Sequence, residues 1–244
     1  MPNYRIDIEY DGTNFVGWQS QENGNSIQGL LEDALTKLIA ENVTIFGAGR
    51  TDAGVHAFQQ VATFTTIKDV STDIIRDGLN QHLRPHPISI LCATMVSNDF
   101  HARFSAKLRF YEYRIINRRP PLTIEHNRAW CVHKILNFNK MLHESSFFIG
   151  KHDLNAFRSS HCQSKTSLKT INSFNMKKNS ENIIISISAQ SFLHSQVRIM
   201  VGTLVDIGKG LLKKSIEDII ISKDRAQAGQ TAPSCGLYLK KIEY

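Results

Sequence analysis

Near the start of the chain, four apolar residues are separated by single charged residues: Tyr4, Ile6, Ile8 and Tyr10. This period of two predicts a half-buried strand. Short apolar runs predict three more strands in the first hundred residues: Val43–Phe46, Val61–Thr65 and Ile88–Val96. Four candidate strands therefore lie in the first part of the chain.

Helical spacing of apolar residues predicts two helices between these strands. The first extends from Ile27 to Ile39, with Ser26 or Asn25 as its N-cap. The second covers Thr72–Leu83, with four apolar residues expected on one side: Ile74, Ile75, Leu79 and Leu83. The predicted order is β-α-β-β-α-β.

The remainder of the chain repeats this order without visible sequence identity between the two parts. Its predicted strands are these: Tyr111–Ile115, Thr170–Met176, Ile183–Ala189 and Leu237–Ile242, the middle two paired around a turn at Lys178–Asn182. Its predicted helices are these: Phe138–Ile149 with Met141, Leu142 and Ser145 on the inner side, one marked by Val197, Val201, Leu204 and Val205, and a short one at Ile216–Ile220. A polar break at Lys213 and Lys214 separates the last two helices.

Two β-α-β-β-α-β units predict an α+β protein built from two ferredoxin-like, or RRM-like, halves. We expect their antiparallel sheets to join side by side around a central cleft. The predicted division places residues 1–104 in an N-terminal half and residues 105–244 in a C-terminal half. No linker rich in Pro, Gly or Ser separates them.

Composition narrows the class of protein. The 244 residues are 41% apolar, enough for a substantial core, and no stretch approaches the about 18 apolar residues of a membrane helix. The first residues lack the apolar centre of a signal peptide, so we expect a cytoplasmic protein without membrane association. The net charge of +7 favours a polyanionic partner such as nucleic acid. The four cysteines form no CxxC pair, which argues against a zinc site.

The densest chemical signal is a loop with three glycines in eight residues, Gly47–Gly54, followed by His56. A phosphate-binding loop is disfavoured, because Asp52 is negatively charged and the GKS/T ending is missing. Two interpretations remain open for Asp52. It is a reactive carboxylate held by a rigid turn, with Arg50 beside it, or a loop residue that bonds backbone amides.

Aromatic and basic residues interleave farther along the chain. Between residues 101 and 120 there are six Lys or Arg and one Glu, a composition typical of RNA-binding surfaces. Tyr111 lies in this segment, and taken by itself it is better explained as part of a core strand face. Arg198 lies on an apolar helix, where it pairs with a carboxylate such as Asp52 or extends along the helix edge to solvent. His82 and His86 have metal-pair spacing, but Pro85 between them disfavours a metal site.

The loop Gly49–Ala57 closely resembles that of bacterial tRNA pseudouridine synthase A, also called tRNA pseudouridine synthase I. The similarity covers nearly the whole chain and includes further motifs: Tyr10–Thr13, Gly17–Gln19, Phe100–Ala106, Tyr111–Arg114, Asp153–Arg158, Phe192–Arg198, Thr231–Pro233 and Gly236–Leu239. The segment Ser159–Thr166 looks more variable across that family. The resemblance implies an enzyme that isomerises uridines 38, 39 and 40 in the anticodon stem-loop of tRNA.

By the same resemblance, four residues carry the site. Asp52 matches the catalytic nucleophile, and Arg50 matches the neighbouring Arg implicated in base flipping. Tyr111 matches the Tyr that stacks on the target base, and Arg198 matches the basic partner of the nucleophile. The family implies a homodimer that needs no cofactor and no metal.

The chemistry is compatible with one carboxylate. Pseudouridine formation breaks an N-glycosidic bond and forms a C–C bond without activating water, and a stacked target base must first be flipped out. The residues leave open whether Asp52 attacks the base or the sugar. Two other functions stay open: a non-catalytic RNA-binding protein with RRM-like sheets, although no clean RNP1 string is present, and a nucleoside N-glycosidase that releases free base.

Overall fold

The computed structural model describes residues 1–21, 24–160 and 162–244. Its strands are β1 (Asn3–Tyr10), β2 (Phe46–Gly47), β3 (His56–Thr65), β4 (Ile88–Val96), β5 (Leu108–Ile116), β6 (Trp130–Cys131), β7 (Gly150–Asp153), β8 (Leu168–Asn179), β9 (Asn182–Ala189) and β10 (Leu237–Glu243). Its helices are α1 (Ile27–Ile39), α2 (Thr72–His82), α3 (Phe138–Ser145), α4 (Gln196–Gly208) and α5 (Ile216–Ser222). The fold is α+β with mostly antiparallel strand pairs.

The chain forms two compact units. The first contains Met1–Lys107 together with Tyr238–Tyr244, and the second contains Leu108–Leu237. The division predicted from the sequence keeps all of residues 105–244 together. The final strand from Tyr238 onward groups instead with the first unit, in which Tyr238 pairs in parallel with His56 of β3.

In the first unit, β1 lies between β4 and β3, and both pairs are antiparallel. On its other edge β3 pairs with the two-residue strand β2, through Phe46 and Thr63. The alternation of apolar and charged residues in β1 marks a buried face of the strand, as predicted, because Tyr4, Ile6 and Ile8 are fully buried. Burying these apolar side chains supplies the main driving force for packing the helices on this sheet.

In the second unit, β9 lies between β5 and β8, and β7 extends the sheet beyond β8 in an antiparallel arrangement. The β8–β9 hairpin closes through two residues, because Asn179 pairs with Asn182. Ser180 in this turn has a φ of 53°, the left-handed conformation that tight hairpins require. Helix α4 is buried along almost its whole length.

The structure shows which of Ser26 and Asn25 is the N-cap of α1. Ser26 caps α1, because its side chain accepts a hydrogen bond from the backbone N–H of Gly29. A serine in this position satisfies one of the N–H groups that have no partner within the helix. Ser71 and Ser215 cap α2 and α5 in the same way.

Some local predictions were wrong. The strand predicted at Val43–Phe46 is reduced to β2, although Val43 and Ile45 are buried. Ile74 and Leu142 were expected on inner helix faces, but they are 55% and 43% exposed. The helix predicted to reach Ile149 ends at Ser145 and continues as a 3-10 turn over Ser146–Phe148. No helix in the described ranges combines the length and apolar composition needed to cross a bilayer.

Candidate active site

Asp52 lies in the loop between β2 and β3 of the first unit and is half-buried. Arg50 is on the same loop and is exposed. Two hydrogen bonds to β3 hold the start of the loop: Ala48 N–H donates to the carbonyl of Val61 at 2.8 Å, and Gln60 Nε2 donates to the carbonyl of Gly49 at 2.9 Å. The segment that precedes Asp52 is therefore hydrogen-bonded to a buried strand.

The last residue of β1 and a residue of the segment after it hold the middle of this loop. Trp18 N–H donates to the carbonyl of Thr51 at 3.1 Å, and the hydroxyls of Tyr10 and Thr51 are 2.8 Å apart. Val55 N–H donates to the carbonyl of Asp52 at 3.1 Å, which closes a turn around Asp52. The backbone on both sides of Asp52 is thus hydrogen-bonded, which fixes the path of the main chain at this residue.

Two glycines allow this close approach. A Cβ at Gly12 would lie 2.0 Å from the carbonyl oxygen of Val55, and one at Gly17 would lie 2.7 Å from that of Thr51. Gly17 also has a φ of 114°, which L side chains rarely adopt. The sequence alone attributes the rigidity of the loop to the loop's own glycines. The structure shows that Gly12 and Gly17, outside the loop, also leave the space that the loop backbone occupies.

His56 connects three parts of the first unit. Its Nδ1 accepts a hydrogen bond from Gly12 N–H at 3.1 Å and is 3.1 Å from a carboxylate oxygen of Asp11. Its ring stacks on Tyr238 with centroids 4.7 Å apart. Since His56 begins β3 directly after the Asp52 loop, these contacts fix the end of that loop.

Tyr111 lies on β5 in the second unit, opposite Ile187 of β9. It is 9% exposed, and its ring meets that of Phe192 edge-on with centroids 5.2 Å apart. This is a favourable geometry for an aromatic pair. The contact with Phe192 thereby restricts the orientation of the Tyr111 ring.

Arg198 lies near the start of α4, also in the second unit, and is half-buried. Its Nε donates to the carbonyl of Ala232 at 2.8 Å, and Ala232 N–H donates back to the carbonyl of Arg198 at 3.0 Å. The helix start is held by Gln196, whose side-chain oxygen accepts from Leu193 N–H at 2.8 Å. Arg198 is therefore positioned by a neighbouring segment as well as by its own helix.

The positive charge of Arg198 affects the pKa of two neighbouring weak acids, Tyr113 and Cys235. Burial raises the pKa of the Tyr113 phenol well above its usual value, and the positive charge of Arg198 opposes this only partly. Burial also raises the pKa of the Cys235 thiol, again against Arg198. Both groups are accordingly neutral at pH 7, and Tyr113 donates its hydroxyl hydrogen to the carbonyl of Pro233 at 2.7 Å.

The basic and aromatic segment predicted as RNA-binding includes an exposed cluster in the first unit. Phe104 is 76% exposed, and its ring centroid is 4.5 Å from that of His101. Phe46 lies on the other side of His101 at 5.5 Å, and the Arg103 guanidinium is 5.7 Å from the centre of the Phe104 ring. Stacking surfaces of this kind suit unpaired bases.

The four predicted site residues are thus distributed in two pairs: Asp52 and Arg50 on one loop of the first unit, and Tyr111 and Arg198 in the second unit. Among the described residues, no group of three or more His, Cys, Asp or Glu side chains is arranged to hold a metal ion. His161, in the Ser159–Thr166 segment, lies outside the described residues.

Comparison with known proteins gives one consistent result. The sequence profile of a family described as tRNA pseudouridine synthase matches residues 7–105 and 146–244. Proteins named tRNA pseudouridine synthase A from Ehrlichia ruminantium and Ehrlichia chaffeensis are 50% and 49% identical over 243 residues, covering 99% of each chain. One of the same name from Parvibaculum lavamentivorans is 46% identical over 245 residues, covering both chains fully.

Proposed function

The chain belongs to the tRNA pseudouridine synthase family, and we propose that it isomerises uridines 38, 39 and 40 of the tRNA anticodon stem-loop to pseudouridine. Enzymes of this family are isomerases. The observation that carries the proposal is that half-buried Asp52 lies on a loop whose main chain is hydrogen-bonded on both sides of this residue. The net charge of +7 supports an RNA substrate.

The reaction needs little from the protein besides this carboxylate. The bond from N1 of uracil to C1′ of ribose breaks, and a bond from C5 to C1′ forms. The hydrogen on C5 leaves as a proton, and N1 takes up a proton, so the product is an isomer of the substrate. No water is consumed and the base is never released, which explains why a second carboxylate of the glycosidase type is unnecessary.

Each predicted residue has a role in the proposal. Asp52 is the nucleophile that captures the base or the sugar while the glycosidic bond is broken. Arg198 is its cationic partner. Tyr111 stacks on the flipped base, and its restricted ring supports this role. Arg50 is exposed on the Asp52 loop, where it can assist base flipping.

The proposal extends to the fold and the assembly. The strand order β4-β1-β3-β2 in the first unit supports a ferredoxin-like arrangement of that unit, and we propose the same for the second. We also propose that the enzyme acts in the cytoplasm as a homodimer, without a cofactor, as its resemblance to the family implies. Sedimentation of the purified protein tests the dimer.

Incubation with an unmodified tRNA transcript, followed by nucleoside analysis, tests the function. We expect pseudouridine at positions 38, 39 or 40 wherever the transcript carries uridine, with the total of uridine and pseudouridine unchanged. Release of free uracil would identify an N-glycosidase instead. Tight tRNA binding without any modified nucleoside would identify a non-catalytic RNA-binding protein. Transcripts that carry cytidine at all three positions provide the matched control.

A further inference from the structure

A cavity of ≈ 250 Å³ lies in the second unit, lined by two arginines and three neutral polar residues: Asn155, Arg158, Ser159, Ser160 and Arg225. Three of these follow one another in sequence, and the 3-10 turn Asn155–Phe157 packs against the 3-10 turn that begins at Arg225. The volume accommodates a phosphate group and several water molecules, each of which needs about 30 Å³.

Backbone carbonyls fix both guanidinium groups. Arg158 donates to the carbonyls of Cys162 and Ser164 at 2.7 and 3.0 Å. Arg225 donates to the carbonyl of Gly229 at 2.9 Å and to the Thr231 hydroxyl at 3.2 Å. These bonds restrain the side chains before any ligand arrives, so little conformational entropy remains to be lost on binding.

The groups that accept hydrogen bonds from Arg158 and Arg225 are neutral, so they do not compensate the positive charges of the two guanidiniums. Within the described ranges, neither Arg158 nor Arg225 makes an ion pair with a carboxylate. The nearby Asp153 is engaged by Lys223 at 3.1 Å. Asp224, next to Arg225 in sequence, accepts from the backbone N–H of Ala226 at 2.9 Å. Burial lowers the pKa of Arg225, the effect expected of a charge that lacks an opposite partner.

We propose that this cavity binds a backbone phosphate of the tRNA substrate. Two fixed guanidiniums with neighbouring hydroxyl and amide donors are the groups that recognise phosphate oxygens. The inference rests on the proposed function for the identity of the RNA. It adds a phosphate contact in the second unit that is separate from the four site residues.

Ser160 offers the sharpest test. Its side chain is exposed and makes no hydrogen bond to any other described residue, so substitution leaves the arginine anchors intact. Ser160→Asp places a negative charge at the cavity, and Ser160→Asn is the neutral variant of matching size. Asn139→Asp, at an exposed position of α3 outside the cavity, controls for the change in net charge.

We expect Ser160→Asp to bind unmodified tRNA roughly tenfold more weakly than Ser160→Asn, since it opposes a charge-assisted contact. The slope of log affinity against log salt should fall in magnitude by about one. At saturating tRNA the turnover number should be unchanged, because the chemical groups are untouched. Equal affinities of Ser160→Asp and Ser160→Asn, or an equal loss in Asn139→Asp, would overturn the proposal.

Two further measurements complete the test. The first distinguishes a contact with RNA from a site that binds free anions. The second separates a failure of this inference from a failure of the proposed function. Inorganic phosphate alone is tested by its effect on thermal unfolding. If phosphate stabilises the parent protein while the two Ser160 variants bind tRNA equally, the cavity does not serve RNA and the inference is wrong. Pseudouridine formation is measured in the same preparations. An inactive parent would refute the proposed function, whereas an active parent with indistinguishable Ser160 variants would refute only this inference.

Discussion

Arg198 and Ala232 are hydrogen-bonded to each other in both directions. The Arg198 Nε donates to the carbonyl of Ala232, and Ala232 N–H donates to the carbonyl of Arg198. A lysine in place of Arg198 would keep the charge but could not reproduce the Nε bond, because its ammonium is a single terminal group. The segment carrying Ala232 therefore determines where the cationic partner in the proposed mechanism is directed.

Substitutions of Arg198 test this role. We expect Arg198→Met to lose most of its turnover number while its fold survives, because the proposed nucleophile loses its cationic partner. Arg198→Lys should lose less turnover than Arg198→Met, since the charge remains and only the Nε bond to the Ala232 carbonyl is lost. A turnover number in Arg198→Met equal to that of the parent would argue against the pairing of Arg198 with Asp52.

Asp52→Asn tests the nucleophile. The substitution preserves shape and removes the charge, so the fold and the tRNA affinity should survive while pseudouridine formation disappears. Circular dichroism and tRNA binding serve as controls on the same preparation. Turnover within about tenfold of the parent, a barrier change of only about 1.4 kcal/mol, would contradict the assignment.

Two helical glycines provide a matched pair for the packing beneath Arg198. A Cβ at Gly202 of α4 would lie 1.9 Å from the carbonyl oxygen of Gln230, whereas one at Gly78 of α2 meets the end of the Leu38 side chain. We expect Gly202→Ala to destabilise the protein by about 1–3 kcal/mol or more, since backbone must move. Gly78→Ala should be nearly neutral, because Leu38 can rotate and alanine favours the helix.

Chemical denaturation measures both glycine variants. Gly202→Ala should also reduce turnover beyond its effect on folding, because the displaced segment leads to Ala232. Equal unfolding free energies for Gly202→Ala and Gly78→Ala would show that the backbone at Gln230 can move away from the added methyl group at little cost.

Tyr113 gives the protein a defined response to alkaline pH. Its pKa is raised in the folded state by burial, so above about pH 10 the unfolded chain has lost this proton while the folded chain retains it. The unfolded state then binds fewer protons, and the free energy of unfolding falls as pH rises. The steepest contribution of one such group is about 1.4 kcal/mol per pH unit.

Tyr113→Phe isolates this effect. The variant should lose about 1 kcal/mol at neutral pH, through the missing hydrogen bond to Pro233. Above about pH 10 its stability should decline less steeply than that of the parent. Urea denaturation between neutral and alkaline pH measures both. Parallel declines in the two proteins would show that Tyr113 ionises equally in both states.

Binding of tRNA should depend strongly on salt. With a net charge of +7, we expect the protein to hold the RNA largely through backbone phosphates. The logarithm of affinity should then fall linearly with the logarithm of salt concentration, with a slope proportional to the number of phosphates contacted. Filter binding at several salt concentrations provides this slope, and a nearly flat dependence would contradict an electrostatic interface.

Much of the local structure follows from the sequence alone. The apolar run Ile88–Val96 matches β4 at both ends, and the helix predicted from Ile27 to Ile39 matches α1. These predictions succeed because side-chain period and helix caps are properties of neighbouring residues. Val43 and Ile45 show the limit: they are buried, but the strand begins only after them, at Phe46, because strand pairing depends on a partner elsewhere in the chain.

The candidate chemistry divides in the same way. The glycine-rich loop and its resemblance to the family indicate Asp52, Arg50, Tyr111 and Arg198 from the sequence, together with a basic, RNA-directed surface. Only the tertiary structure shows that Gly12 and Gly17 clamp the Asp52 loop, and that Ala232 anchors Arg198. The physical reason is distance along the chain. These contacts join segments about 34 or more residues apart, and the periodicity of neighbouring residues carries no information about such contacts.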